Sequence, residues 1–132
     1  MRPGRYLDSS ALVKLVLDEP ESAALDAYLA GSPLPRASAA LARVEVVRAV
    51  RPHGDAAVVL AREMLETVEL VAVTEPLLDA AAELRDPTLR SLDAIHVAAA
   101  LVLGEDLAEL ITYDRQMAAA AETLGIAVAS PG

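Results

Sequence analysis

Short apolar runs that stop at a polar residue and hand over to a helical pattern recur along this chain. That alternation narrows the fold more than any other feature. The first run, Arg5-Tyr6-Leu7, stops at Asp8 and is followed by Ser9 and Ser10, natural caps for a helix reaching residue 17. Asp18-Glu19-Pro20 interrupts it, and a second helix over residues 21–30 ends at Gly31. Pro33 and Pro35 lead into a short strand at Arg36-Ala37, and Ser38 is expected to cap a helix over residues 39–50. After Arg51-Pro52-His53-Gly54 come a helix over residues 55–67, a strand over 69–73 and a helix that Thr74 caps, running to residue 84. Asp86-Pro87 breaks the chain, and Ser91 is expected to cap an apolar helix ending at Leu103 before Gly104. A strand over residues 110–113 stops at Asp114, a helix follows over 115–124, Gly125 closes it, and a last strand covers 126–129. Strands alternating with helices predict a central parallel sheet covered by helices, in one domain over residues 1–132.

The 132 residues are enough for a real core, and a hydrophobic fraction of 55% excludes disorder. Phe and Trp are absent and the aromatics are Tyr6, Tyr28 and Tyr113, so that core must be aliphatic. Without cysteine there is no disulfide scaffold, thiol nucleophile or Cys-ligated zinc. The basic start Met1-Arg2-Pro3-Gly4-Arg5 leads into no signal-type segment, and the apolar run 94–103 is shorter than the about 20 residues a bilayer crossing needs. A cytoplasmic protein with no membrane association is expected. The net charge of −9 disfavours a general nucleic-acid coat protein but not a nuclease, whose metal-binding acids are themselves negative. Lys14 is the only lysine among the 11 basic residues; arginine suits bidentate phosphate contacts, although genomic composition gives the same bias.

Among 20 acidic residues, four sit at a strand's carboxyl end or where an acid is awkward. Asp8 ends the first strand, where an acid serves equally as a cap or as a ligand. Glu45 lies inside a helix with Ser38, Leu41, Ala42 and Ala49 as its nearest neighbours on the face. A carboxylate there needs a partner, a metal or, on a blander reading, Arg48 three residues on. Asp93 opens the apolar helix, where an acid also complements the helix dipole. Asp114 ends a later strand, two residues after Thr112 on the same side of the pleat, and also suits a cap. Two strand-end acids and two helix-borne acids can meet at one edge of a parallel sheet. Carboxylates gathered there call for a counter-charge, and a hard cation such as Mg²⁺ or Mn²⁺ supplies it. His96, the one polar side chain between Ala94 and Leu103, reads as a satisfied core histidine.

These residues resemble the PIN-domain ribonucleases, and within them the VapC-type toxins of toxin–antitoxin pairs. The resemblance spans essentially the whole chain. It rests on Tyr6-Leu7-Asp8-Ser9-Ser10-Ala11-Leu12-Val13-Lys14, on Ser38 with Leu41-Ala42-Arg43-Val44-Glu45, on Leu92-Asp93-Ala94-Ile95-His96-Val97-Ala98, and on Thr112-Tyr113-Asp114-Arg115-Gln116-Met117. It implies a three-layer α/β/α sandwich, a homodimer, a small antitoxin partner, and a Mg²⁺- or Mn²⁺-dependent endoribonuclease that leaves a 5′-phosphate and a 3′-hydroxyl. The acids that carry over as catalytic are Asp8, Glu45, Asp93 and Asp114. Asp8, Asp93 and Asp114 are the expected metal ligands, and Glu45 either joins them or orients the attacking water. Ser9 either positions water or substrate or only starts its helix. Thr112 holds a place where some relatives carry a further polar or acidic residue. Arg90 and Arg115 are either phosphate contacts or simply solvated surface residues.

Rival enzyme classes lack their residues. A phosphatase of the haloacid-dehalogenase type needs a second Asp two residues after the first, where this chain has Ser10. A Gly-x-Ser-x-Gly motif, a P-loop and a Gly-x-Gly-x-x-Gly motif are all missing. The remaining alternative is a non-catalytic PIN-like module that binds protein or RNA without cutting.

Overall fold

The strand at the centre of the molecule is also the first one. In the computed structural model, which describes residues 4–132, β1 (Gly4–Leu7) is buried along its whole length. It pairs in parallel with β2 (Arg36–Ala39) on one side and β4 (Leu107–Ile111) on the other. Parallel edge strands β3 (Glu69–Val71) and β5 (Val128–Ala129) complete a five-stranded sheet of order β3-β2-β1-β4-β5. A Cβ at Gly4 would lie 3.0 Å from the Pro35 carbonyl oxygen, so the close start of the β1–β2 pairing suits glycine. Met1–Pro3, the basic start of the chain, lie outside the described residues.

Alternation along the strands sends successive side chains to opposite faces. Tyr6 and Leu110 face one way and pack with Leu77, Val97 and Met117. Leu7 and Ile111 face the other and pack with Leu12, Leu25, Val46 and Leu65. The first face is covered by α5 (Glu75–Ala82), α6 (Ser91–Val102) and α7 (Arg115–Thr123). The second is covered by α1 (Ser9–Lys14), α2 (Ser22–Gly31), α3 (Ala42–Val50) and α4 (Asp55–Glu66). The result is the three-layer α/β/α sandwich with a parallel sheet and an aliphatic core. No described helix is long and apolar enough to cross a membrane.

Three expected caps are corrected. Asp8, not Ser9 or Ser10, caps α1: its backbone is extended and its side chain takes the Ala11 N–H, so the helix begins at Ser9. Ser38 does not cap α3. It continues β2 opposite Leu70, Ala40 N–H bonds the Val71 carbonyl, and sheet pairing displaces the expected helix start to Ala42. At α6 the extended residue is Arg90, which leaves Ser91 inside the helix. α1 stops at Lys14 rather than at residue 17, and β4 comes earlier than expected. A 3₁₀ turn over Gly104–Asp106, with Gly104 at φ 53°, delivers the chain into the sheet at Leu107.

The strand order has a functional consequence. From β1 the chain steps outward through β2 and β3, then returns to the other side of β1 with β4 and β5. The carboxyl ends of β1 and β4 therefore flank a topological switch point, where open α/β sheets leave a crevice. Asp8 follows β1 there, and Thr112, Tyr113 and Asp114 follow β4.

Candidate active site

Asp8 is the hub of this crevice. It is 2% exposed, and both carboxylate oxygens are engaged. Oδ1 accepts from the Ala11 N–H at 3.0 Å and from the Ser10 hydroxyl at 2.7 Å; Oδ2 accepts from the Thr112 hydroxyl at 2.6 Å. The two hydroxyls also reach the other strand end. Ser10 Oγ accepts from the Tyr113 N–H at 3.1 Å, and Thr112 Oγ1 accepts from the Asp114 N–H at 3.1 Å. Asp8 is thus tied through two hydroxyls to the backbone that carries Asp114. Burial pushes the Asp8 carboxyl above the usual range, and the bonds from Thr112, Ser10 and Ala11 offset part of that rise.

Asp114 caps α7, with Oδ1 accepting from the Met117 N–H at 2.9 Å. Asp93 lies in the first turn of α6, half-buried, and accepts no hydrogen bond from the described residues. Its carboxyl is pushed up by burial first, then by the charges of Asp114, Asp8 and Glu45. That coupling places all four sequence-derived acids in one electrostatic neighbourhood. Among the described residues no ion pair neutralises Asp8, Asp93 or Asp114.

Glu45 is held differently. Its Oε1 accepts from the Ser9 hydroxyl at 2.7 Å and meets His96 Nε2 at 2.7 Å. Burial pushes this carboxyl up, but the bonds from His96 and Ser9 bring it below the usual range. Arg48, the partner a helix-surface reading suggests, forms no ion pair with it. His96 is buried, and its Nδ1 meets the Tyr6 hydroxyl at 2.7 Å. The histidine is satisfied, as expected of a core histidine, yet one of its three partners, Tyr6, Ser9 and Glu45, is a candidate catalytic acid. Burial pushes the Tyr6 phenol far up, so it keeps its proton. Three contributors thus lie outside the expected site: Ser10, Tyr6 and His96. For His96 the signal was in the sequence, since a lone polar side chain on an apolar helix demands a buried partner.

The donor set suits a hard divalent ion, because its groups are carboxylates that raise one another's affinity for positive charge. Among the described residues, however, no three acid or histidine side chains already surround a single point. Asp8 turns its oxygens to the α1 start and to Thr112, Asp114 turns one to the α7 start, and both oxygens of Asp93 are free of hydrogen bonds among the described residues. Arg90 and Arg115 are exposed beside Asp93 and Asp114 and enter no ion pair among the described residues.

The profile of one family, the PIN domain, matches residues 5–123. The chain belongs to the PIN-domain family. Ribonuclease VapC46 of Mycobacterium tuberculosis (strain ATCC 25618 / H37Rv) is 51% identical over 126 residues, with 96% of each chain covered. Ribonuclease VapC47 of strain CDC 1551 / Oshkosh is 37% identical over 131 residues, again with 96% of each chain covered. Two solved structures share the fold at a TM-score of 0.75. Mycobacterium tuberculosis VapC20, described as a Sarcin-Ricin loop cleaving toxin, is 19% identical and matches over 89% of this chain and 95% of its own. A toxin–antitoxin complex from Klebsiella pneumoniae includes a chain 22% identical, matched over 98% of both. The PIN-domain resemblance read from the sequence is therefore borne out, as is the sandwich it implies.

Proposed function

We propose that this PIN-domain protein is a metal-dependent endoribonuclease and the toxin of a toxin–antitoxin pair. One observation carries the reading: four carboxylates share a neighbourhood at the switch point, and among the described residues none of them pairs with a lysine or arginine. The ribonuclease names of its relatives support it.

Asp8, Asp93 and Asp114 would hold Mg²⁺ or Mn²⁺, which supplies Lewis acidity toward the scissile phosphate and makes water a nucleophile near neutral pH. The protein's own groups do the rest. Glu45, ionised and anchored through Oε1, offers Oε2 as acceptor for a proton of the attacking water. Thr112 and Ser10 keep Asp8 turned toward the β4 end, and Ser9 holds Glu45 as well as starting α1. Arg90, at the start of the helix that carries Asp93, and Arg115, next to Asp114, bind the RNA backbone.

An antitoxin segment bearing arginine or lysine fits the anionic crevice and would compete there with metal and RNA. The Klebsiella pneumoniae complex supports such a partner. A homodimer, as the family resemblance implies, would bury some of the exposed apolar side chains of α5 and α6, such as Leu101 and Val102. The place of action would be the cytoplasm. The decisive experiment is cleavage of a panel of structured RNAs with and without Mg²⁺ or Mn²⁺, beside Asp8→Asn and Asp93→Asn. Metal-dependent cutting lost in both variants is expected. Cutting without metal, or cutting unaffected by both changes, contradicts the mechanism. RNA binding without cutting returns the protein to the non-catalytic class.

A further inference from the structure

Both ring nitrogens of His96 are committed inside the protein, and the two bonds lead to one candidate catalytic group. Nε2 lies 2.7 Å from Glu45 Oε1 and 3.3 Å from Ser9 Oγ, itself bonded to the same Glu45 oxygen, and Nδ1 lies 2.7 Å from the Tyr6 hydroxyl. Tyr6 is fully buried and meets the imidazole edge-on, with ring centroids 5.8 Å apart. Neither ring can turn without breaking a buried contact.

The proton positions follow from the chemistry of the partners. An ionised carboxylate only accepts, so the proton between His96 and Glu45 sits on Nε2. When that is the ring's single proton, Nδ1 is bare and the Tyr6 hydroxyl donates to it. The chain of donation runs from Tyr6 O–H to Nδ1, and from Nε2–H to Glu45 Oε1, which also accepts from Ser9. Both donors fall on the same oxygen, and Oε2 has no hydrogen-bond partner among the described residues.

We propose that Tyr6 and His96 are positioning residues: a relay buried in the core that fixes the Glu45 side chain in the rotamer that presents Oε2 to the attacking water. This rests on the reading of Glu45 as the residue that orients that water during RNA hydrolysis. It gives α6 a second duty. One helical turn after Asp93, the same helix that carries an acid also steers the acid of α3. A glutamate on a half-exposed helix face otherwise samples several rotamers, and only one is productive.

Two near-isosteric substitutions separate the two ring nitrogens. His96→Gln puts an amide N–H near the place of Nε2 and keeps a donor for Glu45. His96→Asn puts an amide near the place of Nδ1, keeps a partner for Tyr6, and leaves Glu45 without its buried donor. Expected is a kcat lowered about 10–100-fold in His96→Asn with KM within about twofold, largely restored in His96→Gln, and intermediate in Tyr6→Phe. Equal kcat in wild type, His96→Gln and His96→Asn overturns the proposal. So does a fall in kcat that only follows a lowered melting temperature in both histidine variants.

A second readout needs no catalysis. In ¹⁵N-histidine-labelled protein, with exposed His53 as internal reference, the buried ring is expected to show a protonated Nε2 and a bare Nδ1; a protonated Nδ1 overturns the relay. Wild-type protein that cuts no RNA with Mg²⁺ or Mn²⁺ removes the nuclease reading itself, and the positioning role with it. That outcome is distinct from an active wild type whose kcat ignores His96.

Discussion

Thr112 shows how one side chain serves both the fold and the site. Its hydroxyl is completely buried, donates to Asp8 Oδ2 and accepts from the Asp114 N–H. Thr112→Val keeps the shape and removes both bonds, leaving a buried carboxylate oxygen and a backbone N–H short of a partner. A loss of about 1–3 kcal/mol in unfolding free energy is expected from denaturant titration, because an orphaned buried polar group costs its desolvation. A loss below about 0.5 kcal/mol would mean that water or a shifted Ser10 replaces it. Asp93 predicts the opposite sign. Its folded-state pKa is raised, so the stability tied to its protonation is present in full below the unfolded value of about 3.9 and is lost as pH rises through the folded value. Metal-free Asp93→Asn should therefore melt above metal-free wild type at pH 7, with the gap closing toward pH 4, while cleavage is lost. Equal melting temperatures at pH 7 would show that Asp93 carries no such burden. At this scale the sequence disclosed the acids but not their partners. Strand ends and an awkward helix position pointed to Asp8, Glu45, Asp93 and Asp114. The bonds that hold them join residues as far apart as Asp8 and Thr112 or Glu45 and His96, and no local pattern encodes such pairings.

Elements were legible where their signals are local and misplaced where tertiary pairing competes with those signals. Thr74 caps α5 and Asp114 caps α7 as their sequence positions suggest. Ser38 is an equally good cap residue, yet the β3 strand recruits it into the sheet, where its hydroxyl is buried without a hydrogen-bond partner among the described residues. The centrality of β1 rests on its pairing with strands 30 and 100 residues away, which periodicity cannot register. One of those pairings carries a stability prediction. Arg5 on β1 is buried, and its Nε lies 2.9 Å from Glu109 on β4, which also accepts from the Tyr28 hydroxyl on α2. The pair therefore joins two central strands and a covering helix three residues upstream of Asp8. Glu109→Ala leaves a buried guanidinium without its counter-charge, and a loss of about 3–5 kcal/mol is expected. Denaturant titration measures it, and kcat/KM of the protein still folded should stay within about twofold of wild type. A comparable fall in kcat/KM would show that the β1–β4 register itself tunes the site.

For the whole molecule, the net charge of −9 means that a polyanionic substrate approaches a protein that repels it at long range. Attraction has to be local, at Arg90, Arg115 and whatever cation the carboxylates hold. Monovalent salt then acts in two opposing directions. It weakens the few arginine–phosphate contacts by restoring counterions, and it screens the general repulsion, whose range falls to about 10 Å at 0.1 M. A protein that grips single-stranded nucleic acid through many cations loses affinity with a log–log slope of about −0.7 for each phosphate neutralised. With two arginines in play and repulsion relieved at the same time, the slope of kcat/KM against KCl at fixed Mg²⁺ should be no steeper than about −2. The Arg90→Ala, Arg115→Ala double variant should bring it to zero or above, because only the screening effect remains. A slope of about −3.5 in wild type would instead require a broader cationic surface. The exposed arginines of α3 and α4, Arg43, Arg48 and Arg62, would then join Arg90 and Arg115 in holding the substrate.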